Sequence, residues 1–144
     1  FRAGAQEFLK KPFNISELIV AYKLGIQNGT TIAGNVCVGI YNESGTQLAT
    51  SGSTLQAGAH TMQSFDITDA TLVPGRYYMA LACSDATATV NTMSLVVSNN
   101  AAGLAQMAGL ATEAAAFPLP ATATFAVVTT NKLPLIAVFG RTLA

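Results

Sequence analysis

Apolar and polar side chains alternate with a period of two along most of this chain, and glycine or proline interrupts the alternation every few residues. That pattern predicts short, half-buried strands. It is cleanest at Asn35–Tyr41, where Val36, Val38 and Ile40 share one face and Asn35, Cys37, Gly39 and Tyr41 the other. Asn42-Glu43-Ser44-Gly45 follows as a hairpin connection, with Gly45 suited to the left-handed position and residues 46–51 as the partner strand. Pro74-Gly75 supplies turn chemistry and launches an unbroken run to Cys83. Such a run can be buried on both faces, so it is expected at the centre of a sheet with weaker strands on either side. The apolar parity of Phe13, Ile15, Leu18, Ile19, Val20, Tyr22 and Leu24 shifts once near Glu17, which predicts a bulge. Met62 and Phe65 have opposite parity in residues 60–67 and predict a second bulge or twist.

Residues 87–97 alternate threonine with apolar residues and are expected to pair with the central strand as a hairpin. Two β-rich runs, 122–130 and 133–139, close the chain through Asn131-Lys132. Residues 1–12 read as an N-terminal arm or edge strand, and 13–144 as a single domain. In 101–116, Leu104, Met107, Ala108, Leu110 and Ala111 recur at helical spacing, which predicts a short helix weakened by Gly103 and Gly109 and ended by Phe117-Pro118-Leu119-Pro120. The fold class these elements predict is an all-β, antiparallel β-sandwich, jelly-roll-like.

Composition changes this picture in one respect. Only 10% of the 144 residues are charged, against about 25% in an ordinary soluble protein. Either hydroxyl and amide side chains wet the surface or other subunits cover part of it. No charge lies between Asp85 and Glu113, or between Glu113 and Lys132, which makes the segment 86–131 a candidate interface. Polar residues and prolines interrupt it too often for membrane insertion. Seven basic and seven acidic side chains cancel, leaving no field to attract nucleic acid.

Chemistry-bearing residues are few. His60 is the one histidine and reads as a surface residue in a polar strand position, since a triad or zinc site needs companions. Asp66, Asp69 and Asp85 sit at predicted strand ends, where turn capping and calcium binding are the alternatives. Arg76, Tyr77 and Tyr78 have the chemistry of a sugar platform; the competing reading puts one tyrosine in the core and the other on the opposite face. Cys37 and Cys83 read as buried free thiols, with a disulfide as the alternative. Three sequons begin at Asn14, Asn28 and Asn42. No residue is assigned a catalytic, cofactor-binding or metal-binding role.

The blocks Asn35-Val36-Cys37-Val38-Gly39-Ile40-Tyr41-Asn42-Glu43-Ser44-Gly45, Leu48-Ala49-Thr50-Ser51-Gly52, Phe65-Asp66-Ile67-Thr68 and Leu72-Val73-Pro74-Gly75-Arg76-Tyr77-Tyr78-Met79-Ala80-Leu81 resemble, in this order, β-sandwich domains of tailed-bacteriophage virion proteins. The resemblance covers roughly residues 33 to 130. It implies a non-enzymatic structural component of the virion, of tail-fibre, baseplate, head-fibre or capsid-decoration type. Partners would be sister copies, typically in a homotrimer, other virion proteins and a host glycan. A carbohydrate-binding module of a secreted enzyme is the alternative.

Overall fold

The computed structural model describes residues 8–94, 111–113, 117–124, 126–127 and 132–143. Every regular element among them is a strand, arranged as the expected antiparallel sandwich. In chain order these are β1 (Phe8–Ile15), β2 (Ile19–Gln27), β3 (Asn35–Asn42), β4 (Gln47–Thr50), β5 (Thr54–Leu55), β6 (Met62–Leu72) and β7 (Gly75–Cys83). They continue with β8 (Thr92–Ser94), β9 (Ala111–Glu113), β10 (Ala126–Val127), β11 (Lys132–Pro134) and β12 (Ile136–Thr142). The large sheet has the order β10-β9-β1-β7-β3-β4, with β5 also on β3, and the small sheet the order β12-β2-β6. β8 and β11 form a separate two-stranded ribbon.

As its unbroken apolar run predicts, β7 lies inside the large sheet, between β1 and β3. The β3 alternation then decides what each face of that sheet meets. Val36, Val38 and Ile40, with Tyr77, Met79, Leu81 and Cys83 of β7, pack against Ala21, Leu24 and Ile26 of β2 and Phe65, Ile67, Ala70 and Leu72 of β6. Each large side chain fully buried there contributes about 1.5–3 kcal/mol relative to exposure. On the opposite face Cys37, Tyr41, Ala80 and Ala82 are sealed by Leu119 and Ala123 of the 117–124 segment. Gly39 makes room for this cover, since a Cβ there would come within 3.0 Å of Leu119 Cδ1 and of the Ala49 carbonyl. The Tyr41 hydroxyl donates to the Pro120 carbonyl, and the backbone bonds Gln47 N–H to Ala121 O and Ala123 N–H to Gly45 O hold the segment along the hairpin tip. Gly45 adopts φ 85°, as the hairpin requires.

At one end of the sandwich a buried amide pair ties three loops together. The Gln56 side chain donates to Asn28 Oδ1 and to the Thr89 carbonyl, and accepts from Ala33 N–H. Asn28 donates to the Ala57 carbonyl and to Gln63 Oε1. Both residues are buried and satisfied, as buried amides must be to avoid a desolvation penalty.

Several expectations are corrected. The parity shift near Glu17 is not a bulge: after Ile15 the chain leaves the large sheet and re-enters as β2 in the small one, so the inward set is redefined at 16–18. The second shift lies further along β6, between Ile67 and Ala70, because both are inward. The described part of the 87–97 segment, residues 87–94, does not pair with the central strand, whose edges are already taken by β1 and β3, and 95–97 lie outside the described residues. Ala88 and Val90 enter the core instead, and Thr92–Ser94 pairs with β11. The run 133–139 divides at Leu135 into strands of different sheets. Ala111–Glu113, at the end of the predicted helix, is a strand beside β1, whose ladder its backbone extends; 101–110 and 114–116 lie outside the described residues. The boundary drawn at residue 12 falls inside β1, which has β7 along one side and β9 along Phe8–Lys10 on the other; residues 1–7 lie outside the described residues.

Candidate functional site

The small sheet has one face on the core and one toward solvent. Its outer face is built by irregularities in the strand ladders. In the β2–β6 ladder Ala21 faces Ala70 and Lys23 faces Asp66; in the β12–β2 ladder Gly140 faces Ala21 and Phe139 faces Lys23. Both ladders therefore skip Tyr22. Ala21 and Leu24 are both core residues, so the two residues between them, Tyr22 and Lys23, project outward together. The same happens on β6, where Ile67 and Ala70 point inward and leave Thr68 and Asp69 exposed. A bulge re-aims side chains, and two beside each other double the functional groups presented at this point.

These groups meet across the strands. Arg141 Nη2 donates to Asp69 Oδ2 at 2.8 Å, spanning from β12 over β2 to β6. Its guanidinium carbon lies 5.9 Å from the Tyr22 ring centroid, within cation–π range. Lys23 Nζ lies 3.2 Å from Asp66 Oδ1. Gly25 leaves the space that the Phe139 ring occupies, since a Cβ there would come within 3.1 Å of Phe139 Cε2. Two rings, two cations and two carboxylates thus share one face of three strands.

The residues singled out from the sequence are distributed differently. Asp66 and Asp69 are paired with these cations in mid-strand, not at strand ends. Asp85 caps its turn, accepting from the Thr87 hydroxyl at 2.6 Å and the Thr87 N–H at 2.7 Å. Those two bonds, the hydroxyl's first, hold its carboxyl below the usual carboxylate range. Among the described residues no three of His, Cys, Asp and Glu converge as a metal site. His60 stands in an exposed turn with φ 58°, not in a strand.

Tyr77 is in the core, its hydroxyl donating to the Val73 carbonyl, while Tyr78 is half-buried on the opposite face under Arg76, 5.4 Å from the ring centroid. The three residues therefore do not form one platform. Arg76 also lines a cavity of about 300 Å³ with Pro12, Phe13 and Asn14. A second cavity, of about 260 Å³, is lined by Gln27, Met62, Leu135, Ile136 and Ala137.

Cys37 and Cys83 are buried free thiols on opposite faces of the large sheet. Burial, with a smaller contribution from the Asp85 charge, pushes the Cys83 thiol up to about 12. Of the sequon asparagines, Asn28 is wholly buried, Asn42 is half-buried, and Asn14 is exposed. The candidate interface 86–131 spends much of its described part on the chain's own fold, with Ala88, Val90, Leu119 and Ala123 buried. Residues 95–110, 114–116, 125 and 128–131 of it lie outside the described residues. Among the described residues no helix is long and apolar enough to cross a membrane.

The Tyr22 cluster was not recognised from the sequence. The available signal was Tyr22-Lys23 standing between apolar Ala21 and Leu24, which breaks the alternation inside an otherwise regular strand. Compared with known proteins, the chain matches no family profile, no curated protein and no solved structure.

Proposed function

We propose that this protein is a non-enzymatic structural component of a bacteriophage particle, of fibre, tail-associated or capsid-surface type, that works by assembling with copies of itself, in a trimer, and with other virion proteins. The observation that carries this reading is a surface poor in charge and rich in exposed apolar side chains. Leu55, Val73, Met62 and Leu143 are all at least half exposed. Open apolar surface of this kind marks an interaction site, and sister copies are the partners a charge-poor chain meets without electrostatic selection. The order of the hairpin, turn and central-strand motifs, which resembles virion β-sandwich domains, supports the same reading. Light scattering on the eluting protein at micromolar concentration tests it. The expected mass is a multiple of 14.8 kDa, threefold for the trimer. A soluble species that stays at the single-chain mass would refute assembly as its mode of action.

A further inference from the structure

We propose that the outer face of the small sheet, at Tyr22, Lys23, Asp69 and Arg141, binds a neutral pyranose. This goes beyond the assembly role and does not rest on it, since a single chain carries the whole face. Three features support it. First, the strand irregularities are concentrated under this cluster: both ladders skip Tyr22, and β6 turns Thr68 and Asp69 outward opposite it. A regular ladder would have sent alternate residues back to the core and left half as many groups outside. Second, the polar groups suit hydroxyls. A sugar hydroxyl both donates and accepts; the Arg141–Asp69 pair, fixed at 2.8 Å across β2, presents guanidinium donors next to carboxylate acceptors with valences to spare. Tyr22, 37% exposed, and the Phe139 ring add apolar surface for the C–H face of the ring. All six side chains stand on strands, which hold a site more rigidly than loops do.

Third, the charges choose the class of sugar. Two cations and two carboxylates cancel, so the face has no net attraction for an ion. Asp66, whose side chain is 88% exposed, is the most open of the four and repels a carboxylate or phosphate approaching the sheet. Uronic, sialic and phosphorylated sugars are thereby disfavoured, and neutral hexopyranoses remain.

The test is a chemical-shift titration of the intact protein with the methyl glycosides of glucose, galactose, mannose and N-acetylglucosamine at millimolar concentration, with N-acetylneuraminic acid as the anionic comparison. At least one neutral glycoside should shift amides of β2, β6 and β12 around Tyr22, Asp69 and Arg141. Tyr22→Ala and Asp69→Asn should each weaken it about tenfold or more, and Tyr22→Phe should keep it. Asp69 is exposed, so its variant reports even where loss of the Tyr22 ring unsettles the fold. Silence from all four neutral glycosides, shifts that map elsewhere, preference for the anionic sugar, or no response to either substitution would each overturn the proposal. So would a fall in assembly mass in the Asp69→Asn protein, which would make the face a contact between copies. The mass measured by light scattering keeps this outcome separate from failure of the assembly reading.

Discussion

The two sheets of this sandwich use irregularity in opposite ways. The two ladders of the central strand β7 in the large sheet, with β1 and with β3, run in unbroken register, the shift of that sheet lying in its outer β3–β4 pair at Ile40/Tyr41. The central strand is covered on both faces, by the small sheet on one side and the 117–124 segment on the other. In the small sheet both ladders slip at Tyr22, and the slip falls on the face that meets solvent. A residue added to a strand buried on both sides would drive a polar group into the core or an apolar one out of it. On a sheet with one wet face, the same slip merely brings an extra polar side chain to the surface. Stability is therefore concentrated in the large sheet and chemical variety on the outside of the small one.

Perturbations of the core should have the largest effect. Leu81, on the central strand, is almost completely buried, and Leu81→Ala should cost about 3 kcal/mol of unfolding free energy in urea titrations. A cost below about 1 kcal/mol would show that the large sheet does not carry the fold. Gln56→Leu should come next, at about 2 kcal/mol, because it orphans Asn28 Oδ1 and Ala33 N–H at once and leaves the Thr89 carbonyl with only the Gly29 N–H as donor.

Alkaline pH gives a subtler view of the same region. In the folded protein Cys83 ionises only near about 12, against an ordinary thiol value of 9.0. Between those values the unfolded chain releases a proton that the folded one keeps, so its contribution is intact below 9.0 and is lost as pH rises toward 12. The stability of the natural protein should fall more steeply over that window than that of Cys83→Ala, measured as the denaturation midpoint against pH. Equal slopes would mean that the thiol is not shielded. Arg141→Ala should have the smallest effect, below about 1 kcal/mol, because its partner Asp69 is half exposed and such pairs contribute little. A larger loss would mean that the outer face of the small sheet is structural.

The same contrast explains how much could be read in the sequence. Regular alternation is a local signal, so the β3–β4 hairpin and the central position of β7 were legible from Val36, Val38 and Ile40 and from the run after Gly75. The fate of Cys37 and Cys83 as buried thiols was legible for the same reason. A parity shift is ambiguous, because a bulge and a change of sheet disturb the pattern alike. The shift near Glu17 was the latter; the Met62–Phe65 mismatch was neither, since Met62 is exposed and Phe65 buried on opposite faces of a regular stretch, and the bulge of β6 lies between Ile67 and Ala70. The Tyr22 cluster was hidden for a different reason. Its ion pair joins Asp69 to Arg141, 72 residues apart, and only the order β12-β2-β6 brings them over the same tyrosine. The 117–124 cover was equally hidden, since nothing local assigns Leu119 to the gap left by Gly39.

Amide hydrogen exchange, resolved by residue on the intact protein, tests this division most directly. Amides of β3 and β7 should exchange slowest, at the rate set by global unfolding. Those on the open edge of β6 and at the Tyr22 slip should exchange through local opening, orders of magnitude faster. Equal protection across both sheets, or a β7 that exchanges faster than β2, would contradict the account.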